Sequence, residues 1–177
     1  MAKKVISMTL SQKSVQNVIK ELRSYQNSLE YKCRLLAEKL AEKGVEIARL
    51  QVTDLDAVFT GDLMRSIHSE HIRDIKGGGV YSVIADDESA LFVEFGTGIV
   101  GQQSPYPGKL PDGVTWEYAS GKTIRQLADG RYGWFYRDDN GQWWFTEGMP
   151  SRPFMYYTAN ELRDLIMETA KEVFTVD

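Results

Sequence analysis

Two rows of apolar side chains at heptad spacing constrain this chain more than any other feature. Val15, Leu22, Leu29 and Leu36 recur every seven residues, and Ile19, Cys33, Leu40 and Ile47 form a second row four positions later, with Gln26 as its polar interruption. Together they make one apolar stripe at helical spacing. Ser11 or Ser14 caps the start by accepting backbone N–H bonds. Glu30 and Arg34 stand four apart, the favourable order for a surface pair. A helix of about 35 residues is roughly 50 Å long, more than a compact domain of this size requires. The spacing therefore implies a two-stranded coiled coil, a helix folded back near Gly44, or an arm that packs on a neighbouring subunit.

The rest of the chain reads as strands, loops and one more helix. Thr60-Gly61-Asp62 reads as a turn or helix start, and residues Ser66 to Ile75 have β-compatible composition. Gly77-Gly78-Gly79 turns the chain back into Val80 to Ala85, predicting an antiparallel hairpin. Ser89 to Phe95 is a short helix ended by Gly96, or else a strand; periodicity does not separate the two over so short a run. From Gly96 to Gly113 glycines and prolines predict a long loop, part of a loop or insertion over 96–131. Aspartates followed by Asn140-Gly141 predict a second hairpin between Tyr132–Arg137 and Gln142–Thr146. Pro150-Ser151-Arg152-Pro153 opens a last helix with a predicted buried face of Met155, Ala159, Leu162, Ile166, Ala170 and Val173. The expected class is α+β: an antiparallel β-sheet packed against the long N-terminal helix and the C-terminal helix. At 177 residues the chain is expected to form one domain, with residues 1–10 as a flexible arm.

Composition narrows the chemistry. The net charge is −4 and the pI about 5.3, whereas proteins that track a phosphate backbone usually carry a basic excess. Cys33 is the single cysteine, which excludes an intramolecular disulfide and suits a reducing cytoplasm. The start shows no signal-peptide apolar run and no stretch reaches the ~20 apolar residues that span a bilayer, so a cytoplasmic, non-membrane protein is expected.

Apparent motifs fail on inspection. Gly96-Thr97-Gly98-Ile99-Val100-Gly101 matches G-x-G-x-x-G, but Pro105 and Pro107 forbid the regular helix whose N-terminus would meet a pyrophosphate. Gly121-Lys122-Thr123 resembles the end of a phosphate loop, yet Trp116 stands where that loop needs glycine, and the segment reads as a turn. His68 and His71 lie on a predicted strand, where residues three apart face opposite sides, so they read as solvent-facing rather than as metal ligands. Cys33 reads as a small hydrophobe in the helical stripe. No catalytic residue, cofactor site or metal site is expected. Trp116, Trp134, Trp143 and Trp144 with Tyr118, Tyr132, Phe135 and Tyr136 read as a core face plus a protein interface. Alternation in the hairpin puts one of Trp143 and Trp144 on the core and the other outward. Interleaved with Arg125, Arg131 and Arg137, the same aromatics also suit stacking on single-stranded bases.

Three stretches carry a resemblance. Thr60-Gly61-Asp62-Leu63-Met64-Arg65-Ser66-Ile67, Ala90-Leu91-Phe92-Val93-Glu94-Phe95-Gly96-Thr97-Gly98 and Thr146-Glu147-Gly148-Met149-Pro150-Ser151-Arg152-Pro153-Phe154-Met155 occur in this order between the two helices. They resemble the segments "tG-x-L-x-x-S-I", "A-x-x-V-E-F-G-T" and "G-M-x-A-x-P-F" of the tail-completion and neck proteins of siphovirus-type phages and prophages, the gene-product-ten family of phage HK-ninety-seven. Ser151 stands where that family often has alanine, and the insertion from Gly101 to Tyr132 is long. The resemblance implies a structural protein of the virion neck or tail that joins tail to head connector as a ring, with six-fold closure. Its implied partners are copies of itself, a tail-tube or tail-terminator protein, and a head connector or stopper protein. It points to Gly61, Glu94, Phe95, Gly96, Thr97, Arg152, Pro153 and Phe154 as structural or interface positions, beside Trp143 and Trp144 from the hairpin. Glu94 is an acid within an apolar run: either it faces water, or it is buried and needs a hydrogen-bond or cationic partner, which Arg152 or Arg65 could supply in cis or from another subunit.

Overall fold

A computed structural model describes residues 7–58, 61–110, 112–118, 124–138 and 140–175. Thr60, the Gly121-Lys122-Thr123 segment, Asp139 and residues 1–6 of the expected arm lie outside the described residues. The fold is α+β. Five helices run over Gln12–Asp54 (α1), Asp62–Ser66 (α2), Ala90–Phe95 (α3), Gly98–Gln103 (α4) and Phe154–Thr175 (α5). Strands cover Ile67–Ile75 (β1), Gly78–Ala85 (β2), Arg125–Gln126 (β3), Tyr132–Arg137 (β4), Trp143–Thr146 (β5) and Gly148–Met149 (β6). They form a two-stranded sheet, β1-β2, and a three-stranded antiparallel sheet, β3-β4-β5. Contacts divide the chain into two compact units: Met1–Val45, His68–Ile84 and Leu162–Asp177 in one, Glu46–Ile67 and Ala85–Glu161 in the other.

In the first unit α1 begins at Gln12 because Ser11 caps it: Ser11 Oγ accepts the Ser14 N–H at 3.3 Å, and Ser14 Oγ accepts the Thr9 N–H at 2.9 Å. The helix runs 43 residues without a break at Gly44, its residues from Glu46 on belonging to the second unit. Of the three alternatives, the helix folded back near Gly44 is therefore excluded. Gly44 serves packing instead, since a Cβ would lie 2.7 Å from Val83 Cγ2 and 3.0 Å from Leu162 Cδ1. The hairpin β1-β2 turns at Lys76-Gly77, and β2 is half-buried while β1 is exposed beyond Ile67. Charges along β1 blunt that open edge against unwanted pairing. Glu30 accepts from Gln26 Nε2 at 2.9 Å and Arg34 reaches Asp74 at 3.4 Å, so the expected Glu30–Arg34 pair is replaced. His68 and His71 are exposed on β1. Among the described residues no cluster of metal-ligating side chains occurs. Among them, too, no helix is long and apolar enough to cross a membrane.

The second unit packs Ile47, Ala48, Val52, Ala57, Leu63, Ile67, Ala90, Val93 and Phe154 into its core. Arg49 ties helix to strand by donating to the Ile67 carbonyl at 2.7 Å. The face that α5 buries is rotated from the expected one. In the part of α5 that belongs to this unit Phe154 and Thr158 are buried and Ala159 is exposed. In the part from Leu162 on, which belongs to the first unit, Thr169 is buried, Val173 is buried as expected, Leu162 and Leu165 are half-buried and Ile166 is exposed. Thr158 Oγ1 donates to the Phe154 carbonyl at 2.7 Å and Thr169 Oγ1 accepts from Lys43 Nζ at 3.1 Å. Both hydroxyls are satisfied, which lets threonine occupy core positions that a purely apolar pattern skips.

Candidate functional site

The second and third family-like stretches lie side by side. α3 ends at Gly96, whose N–H donates to the Phe92 carbonyl at 2.8 Å. Gly96 has φ +78°, and a Cβ there would sit 2.6 Å from the Ser151 nitrogen. Only glycine fits that left-handed, crowded position. Thr97 and Gly98 then bridge Met149 and Gly148 in antiparallel fashion. The Arg152 N–H donates to the Val93 carbonyl at 2.8 Å, and Ser151 Oγ donates to the Glu94 carbonyl at 2.6 Å. Pro153 is buried just ahead of α5, where a missing N–H costs nothing, and Phe154 docks into the core at 1% exposure.

Glu94 closes this junction. Its Oε2 accepts the Met155 N–H at 2.9 Å and its Oε1 the Tyr156 N–H at 3.0 Å. The first turn of α5 leaves these donors without intrahelical partners, and the positive end of the helix favours an anion there. Glu94 is 7% exposed. The expected arginine partner is absent from the described residues: Arg65 pairs with Asp62, and Arg152 contributes its backbone. Burial pushes the Glu94 carboxyl above the ordinary carboxylate value, against the opposing pull of the two N–H bonds.

An aromatic layer adjoins the acid. Phe95 packs against Tyr106 at 4.8 Å and Trp116 at 5.0 Å, and Tyr106 meets Tyr156 at 5.6 Å between ring centroids. Trp116 Nε1 donates to the Gly96 carbonyl and the Tyr106 N–H to the Tyr118 hydroxyl, each at 2.9 Å. The stretch read as an open loop is therefore folded in part: α4 ends before Pro105, and the aromatics fasten the chain beyond it. A cavity of about 440 Å³ opens over Glu94, walled by Phe95, Tyr106, Tyr156 and Met155, with Leu91 and Lys109 exposed at its rim. Burial, then the nearby Glu94, raises the Tyr106 hydroxyl above its ordinary value. Trp116 and Tyr118, grouped with the hairpin aromatics on sequence, belong to this layer instead. Tyr106 and Tyr156 carry no motif, and the one signal for Tyr106 is an aromatic residue inside a Gly/Pro-rich stretch.

The remaining candidates lie elsewhere. Gly61, with φ +81°, precedes α2. Trp143 and Trp144 sit on opposite faces of β5, as alternation requires, but both are exposed, at 64% and 47%. The expectation that one faces a core fails because strands of two, six and four residues make a sheet too narrow to hide a tryptophan on either face. Trp144 Nε1 instead donates to Asp138 Oδ2 at 2.9 Å. Exposed Tyr136, paired with Trp144, adds to one face, and exposed Phe135 adds to the Trp143 face. No protein-family model, curated protein or solved structure matches the chain.

Proposed function

We propose that this chain is a structural protein of a tailed phage or prophage, acting at the tail end or neck and joining the tail to the head connector as a ring of copies. The observation that carries this reading is apolar surface left uncovered on two separate elements. Ile19, Leu22, Tyr25 and Leu29 are exposed along the first half of α1, and Phe135, Tyr136, Trp143 and Trp144 on the β3-β4-β5 sheet. Exposed apolar side chains clustered in this way mark protein–protein contacts, and Trp and Tyr are enriched among residues that anchor them. The interlocking of the Glu94 and Pro153 stretches supports a structural use of the family-like residues. Its partners on this reading are further copies, a tail-tube or tail-terminator protein, and a connector or stopper protein. Deleting the gene in its parent phage and examining lysates by electron microscopy tests it. Separate heads and tails, restored to joined particles by the chain supplied in trans, are expected; intact particles at wild-type yield refute it.

The exposed aromatics with Arg131 and Arg137 favour a second reading, a module that stacks on single-stranded nucleic acid. The acidic total charge weighs against it. Salt-dependent quenching of tryptophan fluorescence by oligodeoxythymidine is its test.

A further inference from the structure

The cavity above Glu94 holds a carboxylate whose charge the described residues balance only in part. Two N–H groups fill two of the roughly four acceptor positions a carboxylate offers. The α5 terminus supplies a partial positive charge of roughly half a unit. Lys109, the cation at the rim, is 89% exposed and lies 3.5 Å from Asp112, turned to solvent. Phe95, Tyr106 and Tyr156 line the cavity together with Glu94, and the rest of its wall, Lys109 apart, is apolar.

We propose that this cavity receives an alkylguanidinium group, the head of an arginine side chain presented by another protein subunit. Three features select that chemistry. A carboxylate with one free acceptor position on each oxygen suits two parallel N–H donors. Aromatic faces stack on a planar cation, which is weakly hydrated and enters an apolar cavity at lower cost than ammonium. The volume, about 440 Å³, accommodates the head and part of its aliphatic stem. That the arginine belongs to a neighbouring subunit rests on the assembly reading above; recognition of the guanidinium does not.

The test uses the full chain and n-butylguanidinium chloride, with n-butylurea as its neutral planar counterpart. The Met155 and Tyr156 amide resonances report directly on the bonds to Glu94. Guanidinium should shift both saturably and urea should not. Glu94→Gln should weaken binding about tenfold or more through loss of the charged acceptor. Tyr106→Leu, which leaves the cap untouched, should weaken it severalfold and serves if Glu94→Gln does not fold. Lowering the pH until Glu94 is protonated should abolish the shifts. Equal response to urea, no response to either compound, or unchanged affinity in Tyr106→Leu overturns the proposal. So does a Lys109→Met variant whose Met155 and Tyr156 amides move without added ligand, since Lys109 would then be the occupant. Because the assay needs no assembly, its failure is separate from failure of the gene-deletion experiment.

Discussion

Glu94 shows how far a single residue was readable. An acid in an apolar run is either buried with a partner or turned to water, and here it is buried and accepts two backbone N–H bonds. The identity of its partners was not readable, because backbone N–H groups leave no mark in a sequence. The consequence for stability has a definite sign. The folded state raises the Glu94 pKa above its ordinary 4.5, so the native chain holds this proton more tightly than the unfolded chain. The penalty is absent below the unfolded value and grows as pH rises through the folded one. Asp129 and Asp138 act oppositely. Hydrogen bonds donated by Arg131 to Asp129 and by Trp144 to Asp138 hold their pKa values low, so their contribution is lost on acidification. Denaturation of wild type and Glu94→Gln across pH 4 to 8, roughly the window bracketing carboxylate titration, isolates the Glu94 part: the difference between them should change with pH, and parallel curves would refute the burial argument. Glu94→Ala should cost about 2–4 kcal/mol at neutral pH, from two orphaned helix N–H groups. At Gly44 two effects compete. Alanine gains about 1 kcal/mol of helix propensity, but its Cβ meets the stiff Val83 methyl at 2.7 Å. Overpacking typically costs about 1–3 kcal/mol, so Gly44→Ala should be neutral to destabilising in urea titration, and a gain near 1 kcal/mol would show that the contact yields freely.

At the scale of elements, periodicity and turn chemistry were reliable where they agreed. Heptad spacing predicted α1, and glycine turns predicted both hairpins. They failed where a polar residue belongs to a core. The buried face of α5 runs through Thr158 and Thr169, whose hydroxyls are bonded to the Phe154 carbonyl and to Lys43. An apolar-only pattern therefore settled beside it, on Ala159 and Ile166. Prolines in the 96–113 stretch implied an open loop, yet a six-residue helix fits before Pro105 and aromatic contacts hold the chain after it. Those contacts are long-range in sequence and carry no local signature. The rotation of α5 is directly measurable. Ile166, 42% exposed, should tolerate serine within about 0.5 kcal/mol. Phe154→Ala should cost about 3–5 kcal/mol, as for other fully buried large aromatics. Comparable losses from both would restore the register inferred from apolar residues alone.

On the scale of the whole molecule, the dominant feature is apolar surface exposed among the described residues. In the apolar row of α1, Leu36 and Leu40 are half-buried, while Ile19, Leu22 and Leu29 lie open on the same helix. A chain that needed this stripe for its own core would lose stability when it is made polar; one that uses it for assembly would lose only assembly. Leu22→Gln with Leu29→Gln separates the cases. Glutamine and leucine have nearly equal helix propensity, so α1 itself should persist. Leu22 and Leu29 are 52% and 41% exposed, so the isolated subunit should melt within about 0.5 kcal/mol of wild type per site. Supplied in trans to a phage lacking the gene, the double variant should yield about tenfold or more fewer joined particles, the change expected from losing about 1.4 kcal/mol or more at a contact. Wild-type yield at wild-type stability would remove the α1 stripe from the assembly surface and leave the Trp143 and Trp144 sheet as the remaining candidate. Loss of stability equal to that of a core substitution would mean that α1 folds back on its own chain in solution.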